Sequence, residues 1–95
     1  MKYYVYIMAC SDGSYYTGYT NNIRRRINQH NGVGLYFWQG GKYTSKRRPV
    51  FLQHLERFPS KKDALKREKE IKAMGTNKRH ELVESTTKEQ ILSAI

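Results

Sequence analysis

The short segment Ser11-Asp12-Gly13 constrains this chain more than any other, because it separates two runs that read as strands. Lys2 to Ala9 is rich in Tyr, Val and Ile, and Ser14 to Thr20 is similar, a composition suited to a pleated, half-buried surface. A three-residue loop with Gly13 in the left-handed position closes such a hairpin with a bulge. That loop length pairs Cys10 with Ser14, Met8 with Tyr16 and Tyr6 with Gly18. Tyr6 and Tyr16 then lie diagonally on one face of the sheet. A two-residue Asp12-Gly13 turn would slip the register by one and send them to opposite faces.

A helix should follow, with Asn21 or Asn22 as N-cap and an end near Asn31-Gly32. Ile23 and Ile27 stand four apart on its inner face. At about 100° per residue, Arg26 and His30 fall beside those isoleucines, whereas Arg24 and Arg25 point outward. Gly32 to Arg48 reads as a long, basic, aromatic-bearing loop, and long loops in compact domains tend to be functional. Its Gly40-Gly41-Lys42 run is not a phosphate loop, because Tyr36 and Tyr43 stand where Gly and Ser or Thr are needed. Val50 to Phe58 reads as a third strand. Pro59 and Ser60 open a second helix, with Ser60 and Asp63 in capping-box spacing, and it should end at Gly75. Asn77 to Glu84 suggests a further helical turn or two. Thr86 or Thr87 should cap a short last helix over Lys88 to Ala94. The expected organisation is one domain over residues 1–84 with a helical tail over 85–95, without repeat or linker.

Charge narrows the partner. Eighteen Lys and Arg against eight Asp and Glu give a net charge of +10 on 95 residues, which favours a polyanion, most simply nucleic acid. A membrane surface fits less well, since no basic amphipathic helix carries an aromatic apolar face. No apolar run approaches the ~20 residues that cross a bilayer, and the N-terminus does not read as a signal peptide, so the cytoplasm is the default location. Cys10 is the only cysteine, which excludes intrachain disulfides and a thiolate zinc cage. His30, His54 and His80 lack the paired spacing of a zinc site.

Two triplets on the first hairpin, Tyr4-Val5-Tyr6 and Tyr16-Thr17-Gly18, are followed by Thr20-Asn21, by Arg26 ten residues past Tyr16, and by His30-Asn31. Downstream stands Ala64-Leu65-Lys66-Arg67-Glu68. In this order and spacing they resemble the signature of the GIY-YIG nuclease superfamily, over residues 3 to about 75. The chain is similar in particular to its small stand-alone bacterial members. The resemblance implies an α/β fold, a small three-stranded, mainly antiparallel sheet flanked by helices. It also implies a catalytic arginine at Arg26 and a metal-binding glutamate at Glu68. Tyr4 replaces the first glycine of the signature. The family's late active-site asparagine has only Asn77 as a candidate, by rough position.

The chemistry implied is phosphodiester hydrolysis, which needs an activated water, stabilised charge on phosphorus, and help for the leaving oxygen. Glu68 would hold one Mg²⁺ or Mn²⁺ ion, weakly without substrate, because Mg²⁺ tolerates few protein ligands when water and phosphate complete its shell. The alternative for Glu68 is an ion pair with Arg67 or Lys72. Arg26 could grip the scissile phosphate, or simply lay its stem on Ile23 and Ile27. Tyr6 and Tyr16 differ from ordinary packing tyrosines by lying together beside Gly18, whose missing side chain leaves a hollow. One of them would deprotonate the attacking water while the other orients water or phosphate; Tyr16 is the favoured base. His30 could donate to phosphate or shuttle a proton, or be a satisfied half-buried histidine. Arg24, Arg25, Lys42, Lys46, Arg47 and Arg48 would contact the nucleic-acid backbone, with Tyr36, Phe37 and Trp38 available for stacking. DNA is favoured over RNA, with selectivity from substrate shape or from a partner protein. The competing reading is a nucleic-acid-binding module of the same fold with little or no catalysis.

Overall fold

The computed structural model describes residues 2–32, 44 and 46–94. The elements run β1 (Tyr3–Cys10), β2 (Tyr15–Thr20), α1 (Ile23–Asn31), β3 (Val50–Phe58), α2 (Lys61–Ala73), α3 (Thr76–Glu84) and α4 (Lys88–Ala94). The strands form one sheet in the order β2-β1-β3, with β1 antiparallel to both neighbours. This is the expected α/β architecture of a three-stranded sheet flanked by helices.

The first turn sets the register as its length requires. Gly13 has φ of 84°, and the Cys10 N–H donates to the Ser14 carbonyl at 2.8 Å. Tyr6 is opposite Gly18 and Met8 opposite Tyr16. Alternation along β1 then divides its side chains between two cores. Val5 and Ile7 pack with Ala64 and Ile71 of α2, while Tyr6, Met8 and Cys10 pack with Ile23 of α1 and Val50 of β3.

Capping explains the helix ends. The Asn22 side chain accepts from the Arg25 N–H at 3.1 Å, and Gly32 ends α1 in the left-handed conformation at φ 64°. Asn31 then ties that end to β3, donating to the Val50 carbonyl at 3.0 Å and accepting its N–H at 2.7 Å. Ser60 caps α2 by accepting from the Asp63 N–H, and Thr87 and Gln90 form a reciprocal box that opens α4. Gly75 differs from expectation: α2 stops at Ala73, and Gly75 is instead the N-cap of α3. Met74 adopts an extended conformation there and packs into the aliphatic core, which turns the chain before the glycine is reached. Both α3 and α4 pack against β3. Most of the segment read as a basic loop, including Tyr36, Phe37, Trp38 and Lys42, lies outside the described residues. Among the described residues, no helix is long and apolar enough to cross a membrane.

Candidate active site

The face of β1 and β2 turned toward α1 carries an unusual core, built of polar aromatic groups. Tyr6 and Tyr16 stand with ring centroids 6.3 Å apart, and His30 of α1 sits edge-on to both, 5.9 Å from Tyr6 and 5.0 Å from Tyr16. Gly18 makes this possible. A Cβ on that residue would lie 2.5 Å from Tyr6 Oη and 2.7 Å from its Cζ, so the phenol occupies space that any other residue would fill.

Hydrogen bonds link Tyr6, His30 and Thr44 in a chain, with Arg26 beside it. Arg26, half-buried on the same side of α1, brings its guanidinium close enough to the Tyr6 hydroxyl to favour the phenolate. Burial of Tyr6 raises its pKa to about 12, against the lowering effect of Arg26, so it remains a phenol with one proton to give. Its oxygen and His30 Nε2 share a hydrogen bond of 2.9 Å. His30 is itself fully buried, and burial together with the charges of Arg26 and Arg48 pushes its pKa down to about 4. The imidazole is therefore neutral, and its Nδ1 shares a hydrogen bond of 2.6 Å with Thr44 Oγ1. Arg26 is steadied from its own helix, where Nη1 donates to Gln29 Oε1 at 3.0 Å.

Glu68 approaches from the other helix. Its side chain is only 15% exposed, and its charge reaches Tyr6, where it adds to the rise in pKa. Among the described residues its one cationic partner is Lys72 Nζ, at 3.6 Å and itself half-exposed. That is a loose ion pair for so covered a carboxylate, which leaves oxygen lone pairs for another cation. No group of three or more His, Cys, Asp and Glu able to hold a metal occurs among the described residues. A divalent ion here would rest on Glu68 with water and substrate oxygens, a donor set that fits Mg²⁺ or Mn²⁺ and not a structural zinc.

The fold thus brings Tyr6, Tyr16, Arg26 and His30 together, with Glu68 within electrostatic reach of Tyr6. The expected backbone contacts are dispersed. Arg24 and Arg25 are exposed on α1, and Lys46 is exposed beyond it. Arg47 pairs with Asp12 at 2.8 Å, and Arg48 donates from Nε to the His30 carbonyl at 2.8 Å while its guanidinium lies against Gly32. Both therefore brace the β1–β2 turn and the end of α1. Asn77 is exposed in the first turn of α3. Two features escaped sequence reasoning. Thr44 is buried and completes the His30 chain, yet its segment has no periodicity to announce it. Glu56 of β3 accepts from His54 Nε2 at 2.6 Å and from Arg67 Nε at 2.9 Å; burial opposes its ionisation, but these bonds prevail and hold its pKa below the usual range. The spacing of His54 and Glu56 on one strand face was the available signal, though not for the partner on α2.

Comparison with known proteins identifies the family of the fold. The GIY-YIG catalytic domain matches residues 2–80. A UPF0213 protein of Staphylococcus saprophyticus is 49% identical over 82 residues, covering 86% of this chain and 94% of that protein. A UPF0213 protein of Natronomonas pharaonis is 45% identical over 85 residues, covering 90% and 94%. Among solved structures, the solution structure of a UPF0213 protein from Bacillus halodurans is similar, with a TM-score of 0.58 and 40% identity over 95% of this chain and 92% of that one. The hydrogen-bonded tyrosine core is thus set in a fold shared from staphylococci to haloarchaea, and the chain belongs to the GIY-YIG catalytic-domain family.

Proposed function

We propose that this protein is a divalent-metal-dependent endonuclease that hydrolyses phosphodiester bonds, in DNA rather than RNA, and selects by structure rather than by sequence. The observation that carries the reading is a covered, loosely paired carboxylate within electrostatic reach of a buried tyrosine–histidine pair beside Arg26, on a strongly basic protein. A polyanion-binding module has no use for a half-buried carboxylate that repels phosphate; a nuclease has one.

The roles follow from the environments. Tyr6 is hydrogen-bonded to His30 beside the Arg26 charge, and burial keeps it protonated. It serves to hold Arg26 and the water or phosphate oxygen near it. Tyr16 is half-buried beside His30 and is the tyrosine assigned to take the proton of the attacking water. Arg26 would stabilise charge growing on the phosphoryl oxygens. His30 is neutral, so it positions Tyr6 and does not act as a cationic acid. A metal ion bound at Glu68 would supply Lewis-acid stabilisation of phosphoryl charge. Single phosphate contacts of this kind give modest, salt-sensitive affinity, which leaves targeting in the cytoplasm to substrate shape or a partner protein.

The test is cleavage of single-stranded, duplex, flapped and branched DNA and of RNA, each with Mg²⁺, with Mn²⁺ and with chelator. Metal-dependent cutting of DNA is expected. Binding without cutting across the whole panel would replace the enzyme with a binding module.

A further inference from the structure

α2 carries a row of lysines that the proposed chemistry does not use. Lys62, Lys66 and Lys69 follow at spacings of four and three, which sets them on one side of the helix, and all three are exposed, as is Lys61. Among the described residues, none of these four pairs with a carboxylate within 4.0 Å, whereas Arg47, Arg67 and Lys72 all do. An exposed helix with acids available tends to lace its surface with i,i+4 pairs. Here Asp63 stands three residues before Lys66 and Glu70 four after it, yet Glu70 pairs with Arg67 and neither acid pairs with Lys66.

These lysines also occupy particular places. Lys61 lines a groove together with Arg26, Tyr3 and Tyr19. Lys62, Lys66 and Lys69 line a second groove, whose wall includes Glu68 and the 38% exposed Leu65. A single helix therefore places unpaired cations in two grooves, one holding Arg26 and the other holding Glu68.

The geometry points to α2 as a phosphate rail, which holds the backbone of a nucleic-acid strand by Lys62, Lys66 and Lys69 as it passes Glu68, with Lys61 beside Arg26. From Lys62 to Lys69 is about 10 Å along the helix axis, at about 1.5 Å per residue. One strand of B-DNA carries about three phosphates over that distance. Charge complementarity names the occupant: a row of bare lysines suits a repeating anion. The choice of nucleic acid as that anion rests on the nuclease reading, but binding along the rail does not require catalysis.

The experiment is equilibrium binding of fluorescent duplex DNA to the full chain in chelator, across a series of salt concentrations. Lys66→Gln/Lys69→Gln is compared with Lys78→Gln/Lys88→Gln, a control of equal charge on helices that pack against β3. Each lysine–phosphate contact contributes about 0.9 to the slope of log affinity against log salt. The rail variant should lose about 2 from that slope, and the control less than about 0.5. Adding Lys62→Gln should remove about 1 more. Thermal melting of all three variants should match the parent, because the lysines are exposed and unpaired. Equal slopes for rail and control variants, or no binding of duplex by the parent at low salt, would overturn the rail. Cleavage measured in parallel separates the two claims. A parent that binds through the rail but never cuts sinks the nuclease and keeps the rail; one that cuts with an unchanged slope in the rail variant does the reverse.

Discussion

Among the described residues, two tyrosine–histidine hydrogen bonds stand on opposite faces of the β1–β2 hairpin. Tyr16 turns toward α1 and meets His30, which is bonded to Tyr6 at 2.9 Å; Tyr15 turns the other way and is bonded to His80 at 2.6 Å. The chemistry is shared but the surroundings are not. His80 is 56% exposed, stacks on Tyr15 and lies 3.2 Å from Glu84, with water on the other side. His30 is fully buried, and burial pushes it down to about 4 and Tyr6 up to about 12, beside the fixed charges of Arg26 and Glu68. A tyrosine–histidine bond is therefore no sign of a site by itself. What distinguishes the His30 side is exclusion of water, which strengthens each charge interaction, together with a cation and a carboxylate placed to use it.

The sharpest way to break this contrast is to remove the cation. Arg26→Ala should lower the cleavage rate about 10²- to 10³-fold, the usual cost of losing one group that stabilises transition-state charge, while Arg24→Ala on the outer side of α1 should change the rate less than about threefold. Single-turnover rates at saturating protein would measure both. Gly18→Ala comes next. Its new Cβ would force Tyr6 from the hollow, and a displacement near 1 Å should reduce the rate about 10²-fold. A rate near the parent's would mean that the position of the Tyr6 hydroxyl does not matter.

The pH dependence of stability gives a third probe. His30 binds its proton less readily in the folded state than in the unfolded chain, whose histidines titrate near 6.5. Its contribution is thus fully present above pH 6.5 and is lost as pH falls toward about 4, because the unfolded state takes up the proton first. Urea unfolding between pH 7 and 5 should show a decline on the order of 2 kcal/mol, shallower in His30→Gln. Identical slopes would place the titrating group elsewhere. The smallest effects compare the two pairs directly. Tyr6→Phe leaves a buried imidazole nitrogen without its hydrogen-bond partner and should cost about 1–3 kcal/mol, whereas Tyr15→Phe at the exposed pair should cost less than about 0.5 kcal/mol.

Much of this site could be read from the chain because local rules determine it. The Ser11-Asp12-Gly13 loop fixed which tyrosines share a face, and the helix wheel separated Arg26 and His30 from Arg24 and Arg25. What escaped reading depends on contacts distant in sequence. Arg47 and Arg48 looked like solvent-facing cations, since sequence records charge and not the Asp12 carboxylate or the His30 carbonyl that engage them. Thr44 was invisible for the same reason. Gly75 fell at a helix boundary where either neighbour could claim it, and the burial of Met74 decided between them.

The most direct test of the proposed chemistry is the cleavage rate of Glu68→Gln beside the parent on the preferred DNA substrate, at saturating Mg²⁺ and again at saturating Mn²⁺, with DNA affinity measured in the same buffers. Glutamine keeps the shape of the side chain and removes its charge. The expected result is a loss of at least about 10²-fold in rate with either metal, with DNA affinity retained or slightly raised. A rate within about twofold of the parent would contradict the assignment of Glu68 as the metal-holding carboxylate and, with it, the active site described around Tyr6, Tyr16 and Arg26.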